Sequence, residues 1–185
     1  MILPHSAKKE ILEIARRTLE KYLESRALIE IVPSEPALIQ RAGAFVTLEK
    51  MGELRGCIGH MTADRPLHLM VQQMAIQAAT GDPRFPPVTK EELKEIEIEL
   101  SILSQLRLIN EPSEIVVGEH GLVVSEGLHR GVLLPQVAIR EGWEREKFLG
   151  YTCLKAGLSF DRWKVGTVQI EAFTAEVFGE KEVLK

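Results

Sequence analysis

Between residues 44 and 58 apolar and polar side chains alternate in two short runs. In the first, Ala44, Val46 and Leu48 alternate with Phe45, Thr47 and Glu49; in the second, Leu54, Gly56 and Ile58 alternate with Glu53, Arg55 and Cys57. Successive strand residues face opposite sides, so each run has one face for a core. Joined by Lys50-Met51-Gly52, the two runs predict a β-hairpin. Treating all three linking residues as loop pairs Leu48 with Leu54 and Glu49 with Glu53, and both apolar sets then share one face. A two-residue turn at Met51-Gly52 would carry Arg55 and Cys57 into the core, because a one-residue slip inverts every side chain. The three-residue loop is therefore expected, with Gly52 as its left-handed residue. Phe45, Thr47, Arg55 and Cys57 then share the face away from the core, where Cys57 lies opposite Phe45. Gly56 and Gly59 permit something to approach the backbone closely.

The same patterning extends in both directions. Ala7, Ile11, Ile14, Ala15, Thr18, Leu19 and Tyr22 fall on one helical face, predicting a helix over 7–24 with Ser6 as N-cap. Residues 28–43, punctuated by Pro33 and Pro36, read as irregular. After the hairpin, Asp64 is placed to cap a helix whose first turn tolerates Pro66. Leu67, Met70, Val71, Met74, Ala75 and Ala78 form its apolar stripe, and Gly81 ends it. Asp82-Pro83-Arg84-Phe85-Pro86-Pro87 excludes regular structure, since three prolines remove donors and restrict their neighbours. Thr89-Lys90-Glu91-Glu92 reads as a capping box opening a short helix. Ile96, Ile98, Leu100 and Ile102 alternate with Glu97, Glu99 and Ser101 as a half-buried strand.

Further on, Leu122-Val123-Val124 and Val132-Leu133-Leu134 flank Ser125–Gly131 as a second hairpin. Pro135 opens a helix to about Arg140, Gly142-Trp143 breaks it, and another helix is expected over 144–156. Val168, Ile170 and Ala172 mark a last strand that can run on to Phe178. The fold class expected is α+β, an antiparallel sheet packed with helices. Because the first helix and the last strand bracket the rest, a larger subdomain is expected over about 1–106 and 167–185. A smaller hairpin-and-helix subdomain is expected over about 107–166, with a cleft between the two.

Composition narrows the function classes. The 185 residues suit one domain with a substantial core, and 45% hydrophobic with 27% charged residues is ordinary for a soluble globular chain. A net charge of −4 argues against an extended nucleic-acid footprint. Lys8, Lys9 and Glu10 interrupt the N-terminus, and no apolar run is long enough to cross a bilayer, so neither a signal peptide nor a membrane span is expected. Two cysteines far apart do not form a secreted disulfide framework, which points to reduced thiols and a cytoplasmic location.

The candidate chemistry gathers at Leu54-Arg55-Gly56-Cys57-Ile58-Gly59. A cysteine acts through its thiolate, which a neighbouring cation favours and apolar burial disfavours. Arg55, two residues away, either supports that thiolate or clamps an anionic substrate in bidentate fashion. His60 and His68 are the candidate bases of a cysteine–histidine pair. The opposing reading is that Cys57 fills space, as free cysteines usually do. Arg84 and Phe85 stand in a stiff proline-rich loop, either as a pocket wall with an anion-binding guanidinium or as a structural plug. Cys57-x-x-His60 has the spacing of half a metal site, but no second Cys/His pair exists and no metal is expected. Cys153, on an apolar stripe, reads as core. Glu97 and Glu99 read as a solvated or lysine-paired strand face. His120 and His129 read as turn residues, and Trp143 and Trp163 as packing anchors. There is no P-loop, G-x-G-x-x-G, H-E-x-x-H or serine elbow, and no cofactor is expected.

LRGCIG, followed by PLHLMVQQMAIQAATGDPRFPPVTKEEL and later by GVLLPQVAIREGW and CLKAGL, resembles the AMMECR family over most of the chain. The resemblance implies an α+β fold with an antiparallel sheet covered by helices and a smaller subdomain. It implies a site at Arg55, Gly56, Cys57 and Gly59 rather than a particular reaction. It also implies a link to RNA modification and an association with a Memo-like protein and a radical SAM protein. Two classes of function remain open. One is an enzyme or enzyme component with a cysteine-centred cleft, using Cys57, His60 and Arg55 on a small or nucleotide-like anionic substrate held by Arg55, Gly56, Gly59, Arg84 and Phe85. The other is a non-catalytic binding or scaffold protein for a Memo-like or radical SAM partner.

Overall fold

In the computed structural model, which describes residues 2–184, Pro4 rather than Ser6 opens the first helix. Pro4 is extended (φ −62°, ψ 156°) and its carbonyl accepts from Lys8 N–H at 3.0 Å. Its fixed φ and missing N–H suit a helix start, and Ser6 lies inside α1 (His5–Ser25). The helix ends where Arg26 turns left-handed, at φ 57°. Its buried face carries the expected Ala7, Ile11, Ile14, Ala15, Thr18 and Leu19, together with Leu12.

The chain divides into two units. One runs to Leu103 and resumes at Glu176; the other is Ser104–Ala175. The first contains α1, β1 (Ala44–Lys50), β2 (Glu53–His60), α2 (Leu67–Thr80) and β3 (Ile96–Leu103). β1 is central and pairs antiparallel with both β2 and β3. Val46 and Leu48 of β1 join Ile96, Ile98, Leu100 and Ile102 of β3 in one core with the buried faces of α1 and α2. α2 is capped by Pro66, not Asp64, whose carboxylate pairs with Arg65 instead. The proline-rich segment 82–87 is irregular, as its composition requires.

The second unit contains β4 (Arg107–Leu108), β5 (His120–Glu126), β6 (His129–Leu133), α3 (Pro135–Arg140), α4 (Arg145–Lys155) and the first part of β7 (Gln169–Gly179). β5 pairs antiparallel with β6 and β7, and β4 with β7. Its hairpin turns on two residues, so the strands reach further into Ser125–Gly131 than apolar runs alone indicate. Leu149, Cys153 and Ala156 join Leu122, Val124, Ile170 and Ala172 in a separate core. The end of β7 belongs to the first unit and leads into α5 (Glu180–Val183). The fold is α+β with antiparallel pairing. Among the described residues no helix is long and apolar enough to cross a membrane.

The β1–β2 hairpin departs from its expected register. Its turn has two residues, Met51 and Gly52, both left-handed at φ 55° and 82°. Lys50 pairs with Glu53 and Glu49 with Leu54; Arg55 is then skipped, and Leu48 pairs with Gly56, Thr47 with Cys57 and Val46 with Ile58. The surplus residue expected in the loop sits in the strand instead, as a bulge at Arg55. Two consequences correct the sequence reading. Leu54 faces away from the core and is 42% exposed. Cys57 stays off the core face but opposes Thr47 rather than Phe45. Gly52 is left-handed, as expected.

Candidate functional site

β2 ends the strand order, so its outer backbone groups need partners from elsewhere. The proline-rich segment supplies them. Asp82, only 5% exposed, accepts from Cys57 N–H at 2.9 Å through Oδ2, while Arg84 Nη2 donates to the Cys57 carbonyl at 3.3 Å. The Asp82 carboxylate also takes the Arg84 guanidinium in bidentate fashion (2.9 and 2.7 Å) and Arg84 N–H at 3.1 Å. These donors, the Arg84 side chain foremost, hold the Asp82 carboxyl well below the usual carboxylate range. Asp82 thus fastens the loop to the edge at Cys57.

Arg55 is engaged in the same way. Having no cross-strand partner, it sends Nε and Nη2 to the two carboxylate oxygens of Glu92, at 2.8 and 3.0 Å. Glu92 also receives Lys50 at 3.5 Å. Arg55 Nη1 is buried and has no protein hydrogen-bond partner. The Phe85 ring lies beside both guanidiniums, its centroid 6.0 Å from Arg55 and 5.5 Å from Arg84. This arrangement resembles the structural plug more than an anion clamp: two carboxylates already occupy the planar forks that would grip a ligand. Glu92 explains how the capping box is altered. Thr89 Oγ1 accepts from Glu92 N–H at 3.2 Å, but the Glu92 carboxylate reaches across to Arg55 instead of back to Thr89.

The glycines serve internal packing. A Cβ on Gly56 would meet the Ala78 carbonyl oxygen of α2 at 2.2 Å, and one on Gly59 would meet the Phe45 ring at 2.1 Å. The close approaches they permit are therefore made by the chain itself.

With the bulge in place, three residues form a row across the strands on the face opposite Gly56. Thr47 opposes Cys57 on one side and Glu99 on the other. Thr47 Oγ1 donates to Cys57 Sγ at 3.4 Å. Cys57 is half-buried, whereas Cys153 is enclosed and its thiol is pushed up by that burial. Burial also pushes the Glu99 carboxyl above its ordinary value, with further contributions from Glu49 and Glu182. Cys57 and Glu99 lie two strand spacings apart, about 10 Å. Thr47 stands between them.

The family-model comparison matches AMMECR1 over residues 12–178. The chain is 45% identical over 181 residues to a protein of Methanosarcina barkeri, covering 92% of this chain and 88% of that one. It is 42% identical over 187 residues to a protein of Thermofilum pendens, with the same coverages. The crystal structure of a Pyrococcus horikoshii protein superposes with a TM-score of 0.86 at 40% identity, covering 94% of this chain and 91% of that one. This chain belongs to the AMMECR1 family.

In this AMMECR1-family member the histidines do not join Cys57. His60 pairs in register with Ala44, on the side of the strand opposite Cys57 and Gly59, and its Nε2 lies 3.6 Å from Asp64. His68 is buried on α2, with Nδ1 at 2.9 Å from the Leu38 carbonyl. Sequence reasoning assigns Asp82 no role of its own, and makes Glu92 a cap and Glu99 a solvated or lysine-paired strand residue. Asp before proline in a loop marks a local acceptor, a signal that was available. Glu99 carries none, since its environment comes from strand pairing. The Glu99 carboxyl binds a proton more tightly folded than unfolded, so its ionisation weakens the fold as pH rises through the folded value. Glu99→Gln is expected to raise Tm at neutral pH. The gain should vanish below the ordinary glutamate value of about 4.3, as thermal melts across pH would show.

Proposed function

We propose that the chain is an enzyme or enzyme component whose chemistry centres on Cys57, with Glu99 as its proton acceptor through Thr47. The observation that carries this reading is the Cys57–Thr47–Glu99 row: a half-buried thiol receives a hydroxyl donor, and a carboxyl with a raised pKa stands on the far side of that hydroxyl. A carboxyl whose pKa is raised is a stronger base than an ordinary one. Sulfur would add to the carbon of a polarised double bond, whose π electrons move to the far atom. In that step the Thr47 hydroxyl, which donates to sulfur at rest, would turn to accept the thiol proton and pass its own to Glu99, which then protonates the far atom. His60 has no part in this scheme, and Arg55 acts through the bulge it occupies. Glu49 and Glu97, the latter paired with Lys181, share the face, which disfavours the anionic or nucleotide-like substrate that the sequence suggested and the RNA link that the family resemblance implies. A neutral or cationic electrophile suits it better. The associations that the family resemblance implies, with a Memo-like or radical SAM protein, fit a component of a larger reaction system.

The test needs no substrate. Iodoacetamide should label Cys57 in the folded protein and Cys153 only on unfolding. The Cys57 rate should show a step with pH attributable to Glu99 and absent from Glu99→Gln. Labelling of both thiols only on denaturation would return Cys57 to a packing role and favour the scaffold reading.

A further inference from the structure

The guanidiniums of Arg55 and Arg84 are occupied by carboxylates, yet the first unit carries unpaired positive charge elsewhere. A groove of about 550 Å³ runs between α1 and residues 90–94, lined by Arg16, Arg17, Lys21, Lys90 and Lys94 against only two carboxylates, Glu20 and Glu24. Two of the five cations are committed. Lys90 pairs with Glu24 at 2.8 Å. Arg16 pairs with Glu180 and donates to the carbonyls of Leu93 and Ile96, at 3.0 and 2.8 Å. Arg16 thereby pins the 93–96 segment to α1 and fixes the groove's geometry in advance. Arg17, Lys21 and Lys94 form no ion pair among the described residues, although they share one recess. The chain as a whole carries −4, so this is a local reversal of sign.

We propose that this groove is a binding site for a small phosphate-bearing molecule. Its volume falls within the range of small-ligand sites, and Ile29 and Leu93 give it an apolar strip beside the cations. Three cations that form no ion pair among the described residues, on two elements, line one recess as a multiply charged anion requires, and lysine is a compact point-charge partner for phosphate. A long polyanion is disfavoured, because the negative charge of the surrounding protein repels it beyond the recess. The proposal goes beyond the thiol site and uses none of its residues.

The test is calorimetric titration of the whole protein with inorganic pyrophosphate and with ADP at low ionic strength. Wild type should bind both saturably, more weakly as salt rises. The double variant Lys21→Gln/Lys94→Gln should lose at least about ten-fold in affinity, since each lysine supplies a charge-assisted contact. Its Tm should stay unchanged, because both side chains are exposed. Lys147→Gln/Lys155→Gln on α4 should bind as wild type does. Absence of saturable binding by wild type, or equal weakening in both double variants, would overturn the proposal. So would single-stranded RNA binding that tightens with length while pyrophosphate does not bind.

Discussion

Gly56→Ala is expected to destabilise the protein by about 3 kcal/mol or more, at the upper end of overpacking costs. The added Cβ would stand 2.2 Å from the carbonyl oxygen of Ala78. That oxygen belongs to the helix backbone and cannot rotate away, so α2 and β2 would have to separate. Separation would open the core that Val46, Leu48, Met70 and Met74 share. Gly59→Ala provides the contrast. Its Cβ meets the ring of Phe45, a half-buried side chain able to swing aside, and about 1 kcal/mol is expected. Denaturant unfolding of the two variants should show this order. Equal small losses would mean that helix and strand are not locked at Gly56.

The second large effect is expected at Asp82. Asp82→Ala removes the carboxylate that accepts Cys57 N–H, Arg84 N–H and the Arg84 guanidinium together. A cost of about 3 kcal/mol follows from losing several charge-assisted bonds, moderated because Arg84 is half exposed and regains water. Because the folded Asp82 carboxyl is depressed, its contribution is complete above the ordinary aspartate value of about 3.9 and fades only in strong acid. The difference between wild type and variant should therefore be flat from mildly acid to neutral pH. Hydrogen exchange at Cys57 N–H should accelerate in the variant, reporting the freed strand edge.

The sequence revealed the helices, the strands and their core faces wherever periodicity was long enough to be unambiguous. Ile96, Ile98, Leu100 and Ile102 are buried as their alternation requires, and Pro135 and Gly142 bracket α3. The hairpin register was not legible, because a bulge and a longer loop place Arg55, Gly56, Cys57 and Ile58 on the same faces and differ at Leu54. The pairing distinguishes them, and it moves Thr47 from Arg55 to Cys57. The site was legible to the same degree. LRGCIG drew attention to the right strand, but single residues do not show which carboxylates will meet the arginines. Glu92 resembled a cap and Glu99 a solvated strand residue, and each takes its partner from an element distant in sequence. The sequence offered His60 as a base for Cys57 because it lies just past the motif, whereas strand alternation separates them.

The central claim is that Glu99, its carboxyl raised by burial, is the proton acceptor for Cys57 across Thr47. It can be tested directly by following the side-chain carboxyl signal of Glu99 with pH, using carbon-13 glutamate labelling and Glu99→Gln for assignment. The account predicts that Glu99 ionises above the range of the exposed glutamates and that alkylating Cys57 shifts its titration. A Glu99 that titrates with the exposed glutamates, and that is indifferent to the state of Cys57, would contradict it.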